Sequence, residues 1–276
     1  MCRKWIRFKN VLRSAPKYLC LSAASIMMLF PFFWMVSTAM KTQLELSAYP
    51  PTLLPRSLML SNFATVLKDS SLGIYFVNST IVAASQVVLV VIITTLTAYG
   101  FYRYQFMGKK FLFSVLLLLN VLPFEVVMLF NFRMMIRLGL NNTLIAQVIP
   151  FCFKFFYVYI LYNAFCTIPQ SLYIAASLDR ASDLKFLVRI ALPIVRPTIV
   201  YISIMTMVSS WNSFIWPLLI TNTVETRTLP FGIYTYMSET GFDQGLVMAF
   251  SFLSQLPLVI VLIALRKNFI NGYKSS

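Results

Sequence analysis

Histidine is absent from this 276-residue chain, and acidic residues number only 8 against 23 lysines and arginines. The first absence removes the side chain most used as general base and metal ligand near neutral pH. Glycine is scarce, at 8 residues, and no Gly-x4-Gly-Lys-Ser/Thr run occurs, so the chain offers no phosphate-cradling loop for ATP. The 4 cysteines, Cys2, Cys20, Cys152 and Cys166, include no CxxC pair. They read as small apolar residues, not as a zinc site or a disulfide framework. Charged residues of both signs make up 11% of the chain, where soluble domains carry roughly 25%. What is present is apolar: 59% of residues are hydrophobic and the mean hydropathy is +0.78. So few charges cannot cover a water-facing surface, and the composition is that of a membrane protein. The net charge of +15 does not point to nucleic acid, because a basic patch needs a soluble fold to carry it.

A bilayer core of about 30 Å is crossed by roughly 20 apolar helical residues. Six stretches qualify: 18–40, 74–101, 111–132, 144–165, 198–220 and 246–265. Four contain no charged residue, the third contains only Glu125 and the fourth only Lys154. The first follows basic residues as a secretory signal would, but its 23 uncharged residues exceed a signal core and no small-residue cleavage motif ends it. Backbone polar groups in lipid must be satisfied within the segment, so every span is expected to be helical. Six spans put both termini on one side, and that side holds 16 of the 23 basic residues, which makes it cytoplasmic. The expected architecture is an all-α membrane protein, a single transmembrane domain over 1–276.

The outer segment 41–73 carries Pro50, Pro51 and Pro55, which resist regular structure. The cytoplasmic loop 166–197 is the informative one. After Pro169 the spacing predicts a helix over 170–179 with Leu172, Ala175, Ala176 and Asp179 on one face. Ser182 is placed to cap a second helix, with Asp183 in its first turn and Arg189 in its last. Leu184, Leu187, Val188 and Ala191 form its apolar stripe, and Leu192-Pro193 is expected to end it. An interfacial helix resting on the membrane would show the same amphipathicity. Small residues such as Ala175 and Ala176 suit close docking into a groove on another protein.

The run Ile168 to Ser182, followed by Ile190-Ala191-Leu192-Pro193 and Pro197, resembles the EAA loop of ATP-binding-cassette importer permeases. Ala175, Ala176, Asp179, Ala181, Leu192 and Pro193 match that motif. Ile174 stands where the family has Glu, and Arg180 where it has Gly, a residue that reaches positive φ more cheaply. The resemblance implies that these eight residues couple the chain to an ATPase. Either Arg180 supplies a replacement charge contact or the loop turns differently. Trp211-Asn212-Ser213-Phe214-Ile215-Trp216-Pro217-Leu218 resembles a run in the fifth span of the maltose-type (MalG-like) carbohydrate branch. Tyr49-Pro50-Pro51, Asn62-Phe63, Asn78-Ser79 and Leu138-Gly139-Leu140-Asn141-Asn142-Thr143 sit where that branch has similar residues.

That resemblance implies a permease subunit moving a sugar or oligosaccharide into the cell by alternating access. It implies a bacterial cytoplasmic membrane, a second homologous permease, two ATPases that hold ATP and Mg, and an extracytoplasmic solute-binding protein. This chain itself would bind no cofactor, no metal and no nucleic acid, and no catalytic set is present in it. Polar groups at membrane depth are the candidates for the solute pathway. Glu125 lines the cavity or makes a structural contact; Lys154 attracts an anion or pairs internally. Asn212 offers an amide, and Trp211 and Trp216 offer flat faces for a sugar or simply anchor the interface. Pro217 removes a rung from the helix ladder and would suit a gate. An ion-coupled secondary transporter and a non-transporting membrane scaffold remain as alternatives. Two ionisable groups within spans and no visible repeat are unlike an ion-coupled carrier.

Overall fold

The computed structural model describes residues 2–68, 70–241 and 243–274, and all regular structure among them is helical. The side chains of residues 2–15 and 265–274 lie outside the described ones, including Arg3, Lys4, Arg7, Lys9, Arg13, Arg266, Lys267 and Lys274, on which part of the cytoplasmic assignment rests. Three helices are each long and apolar enough to cross a membrane: Pro16–Ala39, Ser71–Arg103 and Gln244–Ala264. Three further pairs of helices pass that test only when taken together across a sharp bend.

Two of those bends revise the third and fourth expected spans, and a separate helix break revises the fifth. Lys109–Leu119 and Phe124–Arg137 meet at 95°. The chain between them ends at Pro123, whose ring biases the preceding residue away from the α region. Leu144–Phe151 and Phe155–Cys166 meet at 51°, with Pro150 in a 3-10 turn and Lys154 extended at φ −132°. In the fifth stretch the helix Arg196–Trp211 stops, and a new helix, Ile215–Ile220, begins after Asn212–Phe214. Pro217 therefore does not interrupt a helix; it occupies the first turn of the new one, where its missing N–H costs nothing.

The chain divides into two compact units. One comprises residues 1–69 and 235–255. Its first helix, Cys2–Ala39, leaves the run from Tyr18 to Phe33 exposed. After its C-terminal end the proline-rich stretch 49–57 is irregular, as expected of its prolines, and is pinned by polar bonds. Ser37 donates to the Leu53 carbonyl at 2.5 Å, Asn62 to the Ala39 carbonyl at 2.9 Å, and Met59 N–H to the Met40 carbonyl at 3.0 Å. The short helix Gln43–Leu46 carries a full capping box: Thr42 Oγ1 accepts from Glu45 N–H and Glu45 Oε2 accepts from Thr42 N–H. Phe63 meets Phe252 edge-on at 6.0 Å.

The other unit comprises residues 70–234 and 256–276. Its axis is the 34-residue helix Ser70–Arg103, which packs against Phe155–Cys166 and Arg196–Trp211. The core between them contains Val90, Ala98, Tyr99, Phe101, Val158, Leu161, Phe165 and Ile202. Phe113 fits into it against Phe101, Phe155 and Tyr162, with ring centroids at 5.3, 5.2 and 5.1 Å. Gly232 allows a close approach elsewhere in this unit, since a Cβ there would lie 2.2 Å from the Tyr75 ring.

Candidate functional site: the loop 166–197 and a cavity between helix breaks

In the loop 166–197, a helix forms over Gln170–Leu178 and a second begins at Asp183, capped by the Ser182 hydroxyl, which accepts from Lys185 N–H at 3.3 Å. Arg180 adopts φ +54°, the left-handed region. Arg180 N–H donates to the Ser177 carbonyl and Ala181 N–H to the Ala176 carbonyl, both at 3.0 Å. This is a Schellman ending, normally built on Gly. Arg180 thus holds a conformation that Gly would reach at less cost.

The buried faces differ from those the spacing predicts. Along the first helix Ala176 is buried and Tyr173 half-buried, whereas Leu172, Ala175 and Asp179 are exposed. Along the second, Leu187 and Ala191 are buried as expected, but Leu184 and Val188 are exposed and Phe186 is buried instead. Phe186, Leu187, Ile190 and Ala191 thus make the inward face, an i, i+1, i+4, i+5 set with ordinary helical spacing, and a π-helical turn covers Leu187–Ala191. Nor does Leu192-Pro193 end the helical run: the helix Leu192–Ile194 continues through it, and the chain turns at Val195, bending by 78° into Arg196–Trp211.

Two consequences follow for the loop. Ala176, Phe186, Leu187 and Ala191 belong to the same core as Val90, Phe165 and Ile202, so the loop is continuous with the bundle. Its outward surface presents Leu172, Ile174, Leu178, Leu184 and Val188. Ile174, at the position of the family Glu, projects there with 53% exposure. Ala181 is half-buried beside Arg180, and Pro193 is exposed.

Sequence reasoning missed the polar contact that fastens this loop. Asp183 Oδ1 lies 3.0 Å from Arg103 Nε, the one ion pair among the described residues. Tyr104 donates to Asp183 Oδ2 at 2.9 Å, Tyr173 to Oδ1 at 3.3 Å, and Tyr99 to the Asp183 carbonyl at 3.2 Å. Arg103 also donates to the Tyr173 hydroxyl, with its guanidinium carbon 4.0 Å from that ring's centroid. The hydrogen bond from Arg103 is the main cause that holds the Asp183 carboxyl below the usual carboxylate range. Arg103 ends the helix Ser70–Arg103, so the latch joins the loop to the longest helix of its unit. The only sequence signal was a basic residue at a helix C-terminus and an acidic one after a capping serine.

The pathway candidates fall in two places. Glu125 and Asn212 border one cavity of about 370 Å³ together with Phe124, Met128, Phe151, Phe214 and Trp216. All three helix breaks reach this cavity: Phe124 and Glu125 follow the first, Phe151 precedes the second, and Asn212 to Phe214 form the third. Glu125 is exposed in the first turn of Phe124–Arg137, where a helix dipole favours a carboxylate. Asn212 caps its helix, with its amide donating to the Val208 carbonyl at 2.9 Å. Trp216 is buried, its indole N–H donating to the Ala146 carbonyl at 3.0 Å and its ring edge-on to Phe124 at 5.6 Å. Trp211 lies apart, buried and edge-on to Phe76 at 6.0 Å, beside Ala83 and Met207. Lys154 reaches Ser209 Oγ at 3.4 Å and sits 5.6 Å from the Tyr157 ring centroid.

The quoted asparagines acquire roles as well. Asn142, at φ +58°, accepts through Oδ1 from Asn222 N–H, Thr223 N–H and the Thr226 hydroxyl at 2.8, 3.2 and 2.6 Å. Asn78 donates to the carbonyls of Glu225 and Arg227, both at 2.8 Å, and Ser79 accepts from Leu229 N–H at 2.8 Å. These bonds hold the loop 221–229 against its unit.

With this geometry in place, comparisons with known proteins add an independent line. The model of the family described as "Binding-protein-dependent transport system inner membrane component" matches residues 90–274. A trehalose/maltose transport system permease protein MalG of Thermococcus litoralis is 31% identical over 258 residues, 90% of each chain. An arabinooligosaccharides transport system permease protein AraQ of Halalkalibacterium halodurans is 29% identical over 246 residues, 88% of each chain. A lactose transport system permease protein LacG of Rhizobium radiobacter is 26% identical over 260 residues, 94% of each. Among solved structures, a chain of a bacterial ABC transporter involved in import of the acidic polysaccharide alginate superposes with a TM-score of 0.80 at 20% identity. That likeness covers 95% of this chain and 98% of the other, and it shows the fold.

Proposed function

The chain belongs to the family of inner membrane components of binding-protein-dependent transport systems, and we propose that it is the permease subunit of an ATP-driven importer for a sugar or oligosaccharide. It is a multi-pass membrane protein. Its similarity to permeases named for arabinooligosaccharide, lactose and trehalose/maltose transport supports the carbohydrate substrate. In this reading the domain 1–276 crosses a bacterial plasma membrane six times with both termini in the cytoplasm. A second homologous permease lies beside it, and two ATPase subunits hold ATP and Mg below it. An extracytoplasmic solute-binding protein delivers the sugar. No reaction is catalysed by this chain.

One observation carries the reading: the loop that would meet the ATPases is latched, through Asp183 and Arg103, to the helix Ser70–Arg103. ATP-driven closure of the partners pushes on the exposed face of Gln170–Leu178, where Ile174 and Ala175 point outward. Ala176, Phe186, Leu187 and Ala191 sit in the core and pass that displacement on, because a packed interior transmits strain. Asp179, Arg180 and Ala181 set the turn that joins the two loop helices, and Leu192 and Pro193 lead to the bend before the fifth span. The bundle switches between inward- and outward-facing states as bent helices reorient. The cavity where the three breaks meet is the solute pathway, with Glu125 and Asn212 as its polar contacts and Trp216 as a fixed wall. Trp211, packed on Phe76 apart from that cavity, braces the end of the helix that Asn212 caps.

The test is purification of the chain with whatever accompanies it, followed by reconstitution. A second permease, an ATPase and a solute-binding protein are expected, with ATP hydrolysis stimulated by the loaded binding protein. R103A combined with D183N is expected to keep basal hydrolysis and lose the stimulation. Full stimulation in that variant refutes the lever. Uptake that follows a cation gradient and ignores ATP refutes the importer.

A further inference from the structure

The unit formed by residues 1–69 and 235–255 holds a second cavity, of about 470 Å³, that the transport reading does not use. Trp34, Thr38, Lys41, Glu45, Met237 and Gln244 border it, with Leu46, Val247 and Met248 completing an apolar wall. The volume falls in the ordinary range of small-ligand pockets, about 300–1,000 Å³. Lys41 is only 3% exposed. Its ammonium donates to the Thr52 carbonyl and stands 4.4 Å from the centroid of the Trp34 ring. Among the described residues it has no carboxylate partner. Glu45 borders the same cavity but turns both oxygens to backbone N–H groups, those of Arg56 at 2.8 Å and Thr42 at 3.1 Å. A buried cation calls for a counter-charge, and the described residues do not supply one here. Thr38 adds a second unmet demand: its hydroxyl is buried in the cavity wall with no hydrogen-bond partner.

We propose that this cavity binds a carboxylate-bearing sugar, with the carboxylate on Lys41 and a ring hydroxyl on Thr38. One cation with one hydroxyl and one amide, that of Gln244, matches a single negative charge, whereas a phosphate dianion needs more than one cation to balance it. The cavity is larger than a bare carboxylate requires, and its wall of Leu46, Met237, Val247 and Met248 suits the C–H face of a pyranose. Lys41 already covers the facing side of Trp34, so the indole holds the ammonium in place and does not stack on the sugar. The site lies outside the cavity bordered by Glu125 and does not depend on what drives transport.

The experiment titrates the full chain in nanodiscs of neutral lipid with galacturonate and with galactose, which differ only in the carboxylate at C6. Binding is followed by calorimetry and by Trp fluorescence. Galacturonate is expected to bind and to change the fluorescence, and galactose is not. K41M is expected to weaken galacturonate about ten- to hundred-fold, as for loss of a charged hydrogen bond. T38V, which leaves the buried cation untouched, is expected to weaken it by about two- to tenfold. Equal binding of the two sugars, no galacturonate binding at millimolar concentration, or unchanged affinity in both variants overturns the proposal. So does an anionic phospholipid that wild type retains and K41M releases, with no galacturonate binding: the cavity would then hold a lipid headgroup.

Discussion

Replacing Arg180 by Gly should stabilise the chain, although it removes a charged side chain from an exposed loop. Arg180 sits at φ +54° in the Schellman ending of Gln170–Leu178, where Ala181 N–H reaches back to the Ala176 carbonyl. An L-residue with a Cβ is strained there by roughly 1–2 kcal/mol. Gly relieves that strain, but it is freer in the unfolded chain, which returns about 0.5–1 kcal/mol. The net gain is ~0.5–1 kcal/mol, or about 1–4 °C in melting temperature for a chain of this size. Thermal unfolding of the purified full chain measures it, and hydrogen exchange at the amides of Arg180 and Ala181 localises it. R180A is the control: it keeps the Cβ and so should gain less than R180G. If R180G is neutral or destabilising, or if R180A matches it, the backbone argument fails and the guanidinium itself holds the turn. Transport is a separate readout, because an Arg180 that also contacts the ATPase would lower hydrolysis coupling in a variant that melts higher.

The remaining predictions concern the latch and the glycine seat. Asp183 has its native pKa depressed, chiefly by the hydrogen bond from Arg103, so the stabilisation is complete above the unfolded value near about pH 4 and is lost as pH falls through the depressed one. D183N should therefore flatten the acid limb of melting temperature against pH, and an unchanged limb would show that the latch adds no stability. At Gly232 an added Cβ would lie 2.2 Å from Tyr75 Cδ2, so G232A should cost about 1–3 kcal/mol by overpacking. A smaller residue in place of Tyr75 should recover part of that loss in the same melting assay.

The charge-free first, second and sixth stretches were legible because length and apolarity alone decide them. The bends were not, although Pro123 and Pro150 stand at two of them. A hydropathy run counts residues and is blind to direction, and the helix break at Asn212–Phe214 precedes Pro217 instead of coinciding with it. In the loop, helix 170–179 and the Ser182 cap were read correctly to within a residue. The second helix was read on a neighbouring face, because a run as apolar as Leu184–Leu192 offers two overlapping stripes and spacing alone does not choose between Leu184 and Phe186. The Arg103–Asp183 pair spans 80 positions. Each partner had an ordinary local explanation, as a cytoplasmic charge or as a helix-start acid, so neither called for the other. Asn142 was quoted only as part of a turn-like run, and its three accepted hydrogen bonds depend on a loop some 80 residues away.

The interrupted helices decide where lipid can touch this chain. At each of the stretches 120–123, 152–154 and 212–214 the ladder of backbone bonds is broken, and hydrocarbon offers nothing in its place. Asn120 fills one gap by accepting from Phe156 N–H at 3.3 Å, but side chains this sparse cannot fill all of them. These stretches must therefore be wetted or covered by another protein, while the run from Tyr18 to Phe33 and the exposed flank of Gln244–Ala264 can face acyl chains. Backbone interruption, and not side-chain polarity alone, thus sets which segments of the chain tolerate hydrocarbon before any solute or partner arrives.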